Sequence, residues 1–227
     1  MAVFDTLFDI QLQLGTCVGV QLPALADLDQ ELVFSFLTKD EQQFAQNLKP
    51  IRRRTFVGGR IALRRAFKQA LADTVSVLPN ERGAPHLPAG LQGSISHKDS
   101  IAVALVSDDV KGFVGVDIET VGPSKQNIEN MILRPEEIKD LGQLDSVSSE
   151  QEVLLRFSLK EAVYKSLDPY VGRYVGFKEV AVKPLSSGRA EIQYELAQGE
   201  GPFVTELFWR QQESFFLTTA KTFIVSS

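Results

Sequence analysis

The chain is poor in the side chains that form disulfides and soft-metal sites. It contains one cysteine, Cys17, and two histidines in 227 residues. A single cysteine excludes an internal disulfide, and one thiol with two imidazoles does not make a thiolate–imidazole metal site. We therefore expect an intracellular, cytoplasmic protein.

Long apolar runs and an excess of positive charge are also missing. No stretch reaches eighteen consecutive apolar residues, so no transmembrane helix is expected. The first ten residues contain Asp5 and Asp9 and no basic residue, so a secretory signal peptide is not predicted there. A formal net charge of -5 argues against general affinity for nucleic acid, which depends on a basic face.

Basic residues are nevertheless concentrated in one segment. Residues 49–68 hold eight Lys or Arg and no acid, and Pro50 suits the first turn of a helix that is predicted to continue to about Leu71. Gly58 and Gly59 inside this helix cost about 1 kcal/mol each relative to alanine, which indicates close packing or close approach of a ligand. Four basic residues, spaced seven, four and four positions apart, form one stripe along the helix: Arg53, Arg60, Arg64 and Lys68.

The order of a helix followed by strands occurs twice along the chain. A shift of 101 residues aligns the two long helices only weakly, so an internal repeat and a chance coincidence both stay open. We predict an α+β fold of two similar halves, residues 1–111 and 112–227. The predicted elements are a strand at 8–14, a helix at 39–48 capped by Thr38 and Glu41, the helix from Pro50, strands at 101–106 and 113–118, short helices near 127–133 and 136–141, a helix at about 150–167 capped by Ser149 and Glu152 and ended by Asp168-Pro169, and four strand-sized pieces after Val175.

Two acidic residues share one face of a predicted strand. The run reads G-V-D-I-E, so Asp117 and Glu119 point to one side while Val116 and Ile118 point into the core. Two neighbouring carboxylates raise each other's pKa unless a cation lies between them. Mg²⁺ or Mn²⁺, which oxygen ligands suit, would resolve that conflict. The alternative is a solvated strand end.

A second motif lies on the last predicted helix. Residues 157–165 read F-S-L-K-E-A-V-Y-K, and Glu161 and Lys165 are four positions apart in the order that stabilises a helix. The pair is either an ordinary exposed ion pair or part of a site. In the site, Glu161 completes a carboxylate set and Lys165 meets a phosphate.

A third motif, G-S-I-S-H, occupies residues 93–97. We interpret it as a glycine-containing turn in which hydroxyls and backbone N–H groups hold an anion, while His97 adds charge or a donor. A structural histidine is the alternative. Ser96 and His97 are unsuited to hydrolysis, because adjacent residues rarely face each other as nucleophile and base.

In this order and spacing, the three motifs resemble those of the surfactin-type 4'-phosphopantetheinyl transferases, or holo-carrier-protein synthases. That family shows S-x-S-H, then (I/V)-G-(I/V)-D-x-E, then (F/W)-(S/C/T)-x-K-E-(A/S)-x-x-K. Two further matches are F-V-G-G-R at 56–60 and R-G-A-P-H-L-P at 82–88. The resemblance implies an α+β pseudo-dimer of two similar halves, each with a three-stranded antiparallel sheet beside a long helix. It also implies that coenzyme A binds in a cleft between the halves.

The resemblance implies roles for single residues as well. Asp117, Glu119 and Glu161 match the family's Mg²⁺ ligands, and Lys165 matches the lysine near the pyrophosphate. Glu161 is the candidate base for the carrier serine, with Glu136 as the runner-up. Glu136 is equally explained as an ordinary acid in a first helical turn. The residues matched to the phosphates and adenine of coenzyme A are His97, Ser96, Arg53, Arg60, Arg82, Gly83, Ala84 and Pro85.

Two positions depart from the family's common pattern. Many members have a lysine just before the proline of the adenine loop, where this chain has Ala84, so Arg82 is the expected substitute. The acid that usually precedes Phe56 is replaced by Thr55. The source of positive charge at the adenine loop and the pairing of the basic stripe are therefore open.

The implied reaction is Mg²⁺-dependent transfer of the phosphopantetheine arm from coenzyme A to a serine of an acyl, polyketide or peptidyl carrier protein. The N-terminal half is assigned the phosphate and adenine contacts, and the C-terminal half the metal and the carrier.

We expect a monomer, because two halves supply both sides of the cleft. A nucleotide- or coenzyme-A-binding module without catalysis is the rival, although it would not need three carboxylates. The acidic carrier is expected to dock within residues 111–139, where Lys111, Lys125, Arg134 and Lys139 surround Met131, Ile132 and Leu133. A solvated connector is the alternative for each of these residues.

Overall fold

The computed structural model describes residues 4–27, 30–67, 75–122 and 128–225. The chain divides into two compact units, Met1–Val110 and Lys111–Ser227. This division lies one residue from the boundary expected from the sequence. Among the described residues, no helix is both long enough and apolar enough to cross a bilayer.

The first unit is a four-stranded antiparallel sheet with helices. The long helix α3 packs mainly on the central strands β2 and β4. The sheet order is β1-β2-β4-β3, with one strand more than the three expected for this half. The elements are β1 Thr6–Leu12, β2 Gly15–Gln21, a 3-10 turn at Leu25–Asp27, α1 Gln30–Ser35, α2 Lys39–Gln46, α3 Pro50–Phe67, β3 Gln92–Lys98 and β4 Ile101–Ser107.

The capping box predicted at the start of α2 is confirmed. The backbone N–H of Thr38 donates to Glu41 Oε2 at 3.0 Å, and the N–H of Glu41 donates to Thr38 Oγ1 at 3.4 Å. Two of the backbone donors at the start of the helix are thus satisfied by side chains. Glu41 is fully buried, so this cap also belongs to the core of the unit.

The glycine pair in α3 is explained by close packing. A Cβ on Gly58 would lie 2.1 Å from Leu22 Cδ2, and one on Gly59 would lie 2.8 Å from Ile95 Cγ2. Side chains at these positions would force the helix away from the sheet. Close packing, one of the two explanations open from the sequence, accounts for both glycines.

The second unit combines a three-stranded sheet, ordered β5-β9-β8, with a two-stranded one, β6-β7, and a long helix. The helix α6 packs on β5 and β9. All strand pairs are antiparallel, and the predicted α+β class is confirmed. The elements are β5 Phe113–Thr120, α4 Glu129–Ile132, α5 Pro135–Lys139, α6 Ser149–Val171, a 3-10 turn at Phe177–Glu179, β6 Val180–Pro184, β7 Ala190–Tyr194, β8 Phe203–Gln212 and β9 Phe215–Ile224.

Gly115 allows β5 and α6 to approach closely. A Cβ at this position would lie 1.9 Å from the carbonyl oxygen of Ala162. Only glycine permits that distance between the strand and the helix backbone. The strand that carries Asp117 is therefore held directly against the helix that carries Glu161.

The predicted ends of α6 were wrong at both termini. The N-cap is Ser148 with Gln151, one residue before the predicted pair, and the helix continues through Pro169 to Val171. Proline removes only one helical hydrogen bond, and it lies in the last turn, where that loss is tolerated. Gly172 ends the helix instead, with φ of 61° and its N–H bonded to Asp168 O at 2.9 Å.

Candidate active site

Asp117 and Glu119 lie on one face of β5 and are both buried. Their exposures are 4% and 7%, which excludes the solvated strand end considered from the sequence. Burying a carboxylate is costly unless it is paired or hydrogen-bonded. The burial of two carboxylates on one strand face therefore indicates a built site.

Donors from α6 meet Asp117. The hydroxyl of Ser158 donates to Oδ2 at 2.8 Å, and Lys165 Nζ donates to Oδ1 at 2.9 Å. Lys165 also donates to the carbonyl oxygen of Val116 at 2.8 Å. Ser158 and Lys165 are seven positions apart, so they lie on the same face of the helix. Lys165 thus contacts β5. The ordinary exposed ion pair with Glu161, which was the alternative from the sequence, does not explain these contacts.

Glu161 lies between these two donors on α6. Burial raises the pKa of its carboxyl group, and the negative charges of Asp117 and Glu119 raise that pKa further, while Lys165 lowers it. The electrostatic influence of both β5 carboxylates means that the three acids share one local field. Glu161 therefore lies within electrostatic reach of both β5 acids, and its place in a shared metal site stays a prediction from the motifs.

The carboxylate set suits a hard divalent cation in its chemistry. Mg²⁺ and Mn²⁺ prefer carboxylate oxygens, and a cation would offset the mutual repulsion of the three acids. In the described part of the chain, however, no three or more His, Cys, Asp or Glu side chains stand in an arrangement ready to hold a metal. The donors therefore suit the ion in kind, while the described residues do not form a complete three-ligand geometry.

Glu136, the second candidate base, is exposed. Its side chain is 58% accessible and lies 3.7 Å from Arg134 Nη1. It occupies the first turn of α5, as the ordinary structural explanation requires. The neighbouring Glu137 is the buried acid of this helix.

Glu137 and Lys160 form a buried pair that sequence reasoning missed. Lys160 Nζ donates to Glu137 Oε2 at 2.7 Å, to Ile132 O at 2.6 Å and to Phe177 O at 2.9 Å. Glu137 also accepts the N–H of Val182 at 3.0 Å. Lys160 belongs to the K-E-A-x-x-K motif, and this membership was the only feature of the sequence that could have pointed to it. Its contacts fix the α4–α5 segment on α6, one residue before Glu161.

The region expected to dock the carrier protein, within residues 111–139, is only partly at the surface. Ile132 and Leu133 are fully buried and Arg134 is 4% exposed, so the prediction that these three residues belong to an accessible docking surface was wrong. Ile132 and Leu133 form a small core with Val153 of α6 instead. Met131, at 61% exposed, points outward. Lys111 and Lys139 are also exposed, and Lys125 lies outside the described residues.

In the first unit, the G-S-I-S-H motif is a strand and not a turn. Residues 93–97 lie within β3, paired with β4 so that His97 faces Ala102. Ser94 and Ser96 point to the buried side, while His97 is exposed. The alternation of small and apolar residues, with period two, was the signal for a strand. The exposed position of His97 disfavours a histidine buried for structural reasons.

The arginines of the basic stripe have protein partners. Arg53 donates from Nε to Ala45 O at 3.0 Å and from Nη2 to Gln46 O at 3.1 Å, at the end of α2. Arg64 pairs with the buried Glu41 at 2.7 Å. Lys68 lies outside the described residues. The stripe therefore has structural contacts that its spacing did not predict.

Arg60 is buried more deeply than Arg53 and Arg64. Its Nε donates to Val77 O at 2.5 Å, and its guanidinium lies 4.2 Å from the centre of the Phe56 ring. Burial lowers the pKa of Arg60 to about 10, while Glu41 raises it. Arg60 thus stays protonated at neutral pH.

The loop that contains Arg82 to Pro85 is ordered by a side chain. Asn80 Oδ1 accepts the N–H groups of Arg82 and Ala84, both at 3.0 Å, and Gly83 takes the positive φ of 85° that the turn requires. A β-bridge between Pro79 and Pro85 closes the loop. Arg82 and Gly83 are exposed, whereas Ala84 and Pro85 are half-buried.

Comparison with known proteins gives consistent matches over both units. Residues 40–107 match the 4'-phosphopantetheinyl transferase N-terminal domain, and residues 113–220 match the 4'-phosphopantetheinyl transferase superfamily. The chain is 31% identical to 4'-phosphopantetheinyl transferase Npt of Nocardia iowensis over 158 residues, 69% of this chain and 68% of that protein. It is 31% identical to 4'-phosphopantetheinyl transferase Svp of Streptomyces mobaraensis over 156 residues, 66% of this chain and 63% of that protein. Holo-[acyl-carrier-protein] synthase of Halalkalibacterium halodurans is 31% identical over 110 residues, 41% of this chain and 92% of that protein.

Proposed function

Since the chain belongs to the 4'-phosphopantetheinyl transferase superfamily, we propose that it moves the phosphopantetheine arm of coenzyme A to a serine of an acyl, polyketide or peptidyl carrier protein. The second product is 3'-phosphoadenosine 5'-phosphate. The predictions of the family and of its transferase activity are confirmed by the matches to both units. The observation that carries the proposal is the contact of buried Asp117 with Ser158 and Lys165 of α6, with buried Glu119 on the same face of β5.

Asp117, Glu119 and Glu161 are the residues that would hold Mg²⁺, or Mn²⁺ in its place. Support comes from their oxygen donors, the burial of the two β5 acids and the influence of both on the pKa of Glu161. When bound, the ion would supply positive charge beside the pyrophosphate of coenzyme A. Lys165, which now pairs with Asp117, would contact the same pyrophosphate as a point charge.

Glu161 is the proposed general base. The carrier serine must lose its hydroxyl proton as its oxygen attacks phosphorus, and the departing oxygen leaves with the adenine nucleotide. Glu161 lies three residues after Ser158 and four before Lys165, so its carboxylate is on the face of α6 that meets Asp117. Glu136 is the less supported candidate, because it is exposed and lies beside Arg134.

The first unit would recognise the nucleotide end of coenzyme A. His97 is exposed on β3 and would read the 3'-phosphate, with Ser96 next to it in the chain. Arg53 and Arg60 would add positive charge, although both already bind backbone carbonyls. The ordered loop at 82–85 would border the adenine, with Arg82 as its exposed cation.

A binding module for coenzyme A without catalysis is the competing function. Such a module would use the basic residues of the first unit, but it would gain nothing from burying Asp117 and Glu119 beside Glu161. Their burial favours the enzyme. The cytoplasmic location and the monomeric state remain proposals from the sequence.

The test is to incubate the protein with coenzyme A, Mg²⁺ and an apo carrier, and to weigh the carrier by mass spectrometry. We expect a mass gain of one phosphopantetheine arm that disappears when EDTA is added. Tight binding of coenzyme A with no mass gain on acyl, polyketide or peptidyl carriers would favour the binding module. Transfer that persists in EDTA would remove the metal from the proposal and leave the transferase activity intact.

A further inference from the structure

Ser158 contacts Asp117 from within helix α6. The serine is fully buried, and its Oγ lies 2.8 Å from Asp117 Oδ2. An ionised carboxylate can only accept hydrogen bonds, so the serine hydroxyl donates. A bond to a charged acceptor is shorter and stronger than one between neutral groups. The sequence motif gave this serine no role.

Thr218 fixes the direction of that hydroxyl. It faces Asp117 in the register of β5 and β9. Its Oγ1 donates to the carbonyl oxygen of Ser158 at 2.9 Å and lies 2.9 Å from Ser158 Oγ. With the threonine proton committed to the carbonyl, the serine proton goes to its charged acceptor, Asp117. Helix, strand and carboxylate are thus joined in one chain of contacts.

We propose that Ser158 is a positioning residue for Asp117, which fixes the orientation in which this carboxylate binds the divalent cation. The inference rests on the proposed function, because it requires a cation at Asp117. A hydrogen bond behind a metal ligand sets the ligand's direction, and losing such a bond typically weakens metal binding about 10- to 100-fold. Ser158 therefore acts on metal affinity through Asp117, without itself touching coenzyme A.

The same two elements contain a matched control. Ser166 is also fully buried in α6, and its Oγ lies 2.7 Å from Thr222 Oγ1 of β9. Its hydroxyl donates to the carbonyl oxygen of Val163 at 2.9 Å. Replacing either serine with alanine removes a buried hydroxyl from the same helix–strand interface. Only the change at Ser158 removes a donor from a carboxylate.

The experiment measures Mn²⁺ affinity by electron paramagnetic resonance, in the presence of coenzyme A and with a blank that lacks protein. Wild type, Ser158→Ala and Ser166→Ala are compared, and thermal unfolding confirms that each variant is folded. We expect Ser158→Ala to bind Mn²⁺ at least about tenfold more weakly and Ser166→Ala to match the wild type. If Ser158→Ala does not fold, Thr218→Val is compared with Thr222→Val instead. Thr218 contacts Ser158, and Thr222 contacts the control residue Ser166.

Equal Mn²⁺ affinities for the two serine variants would overturn the inference, whether both are normal or both are weakened alike. In that case the proposed metal site would stand, because the wild type still binds the ion. A wild type that binds no Mn²⁺ under these conditions would overturn the proposed metal site and, with it, the role of Ser158.

Discussion

Lys160 Nζ lies 2.7 Å from Glu137 Oε2, and these two charged side chains are 0% and 3% exposed. The remaining donors of the ammonium group go to backbone carbonyls of Ile132 and Phe177. The pair therefore joins α6 to the α4–α5 segment inside the second unit. Lys160 directly precedes Glu161 in α6, so the pair affects the position of the site as well as the stability of the unit.

Replacing Lys160 with methionine should strongly destabilise the protein. Glu137 would keep a buried charge with its closest cationic partner removed, and breaking a buried pair from one side costs about 3–5 kcal/mol. Urea unfolding of Lys160→Met measures this loss. Lys139→Met, a change of the same type at an exposed position of α5, should lie within about 0.5 kcal/mol of the wild type. Equal stabilities of the two variants would contradict the structural role of the pair.

Gly115→Ala should separate β5 from α6. The added Cβ would lie 1.9 Å from Ala162 O, so the backbones must move apart, and such overpacking typically costs about 1–3 kcal/mol. Transfer to the carrier should fall as well, because Asp117 and Glu161 would no longer keep their spacing. Gly122→Ala is the control, since nothing lies within 4 Å of its Cβ position. A Gly115→Ala protein with wild-type stability and rate would refute the close contact.

The sequence predicted some elements well because their signals are local. Thr38 and Glu41 cap α2 by contacts within four residues, and the apolar run in β4 is recognisable by itself. By contrast, β2 reads G-T-C-V-G-V-Q, and four of its residues are buried in succession, so it lacks the alternation that marks a half-exposed strand.

The carboxylates of the site could be found from the spacing of Asp117 and Glu119, but their supporting contacts could not. Ser158 and Thr218 are 60 positions apart, and their meeting depends on how α6 packs on β9. Arg60 was placed in the basic stripe by its spacing alone. Its burial and its hydrogen bond to Val77 O depend on packing that only the tertiary structure reveals.

The protein should lose stability in acid as the carboxylate of Glu179 becomes protonated. Hydrogen bonds from Arg173 lower the pKa of this carboxyl group from its ordinary value of 4.5 to about 2, with help from the N–H groups of Gly176 and Ala197. A lowered pKa in the folded state means that the stabilisation is complete above about pH 4.5 and is lost as the pH falls towards 2.

Urea unfolding at a series of pH values between 5 and 2 measures this contribution. Glu179→Gln should show a smaller decline than the wild type over that interval. Asp145→Asn removes an exposed carboxylate from the same unit and should leave the decline unchanged. Parallel curves for Glu179→Gln and wild type would show that the Arg173 contact does not contribute.

His97→Ala should weaken the use of coenzyme A while leaving dephospho-coenzyme A almost unaffected. A charge-assisted contact to phosphate contributes about 1.5–3 kcal/mol, so kcat/KM for coenzyme A should fall roughly ten- to hundredfold. Much of the loss should appear in KM, because the contact is remote from the reacting phosphorus. Wild type and variant are assayed with both substrates. Equal losses on the two would show that His97 does not read the 3'-phosphate.

The most direct test of the acid cluster is the rate of carrier modification by Glu161→Gln at saturating Mg²⁺ and coenzyme A, followed by mass spectrometry in a single turnover. This change removes a charge and a proton acceptor while keeping the shape of the side chain. If Glu161 serves as base and metal ligand, the rate should fall roughly a thousandfold or more. Glu136→Gln, tested beside it, should lose much less. A near-normal rate for Glu161→Gln, with Glu136→Gln inactive, would contradict the account and move the chemistry to α5.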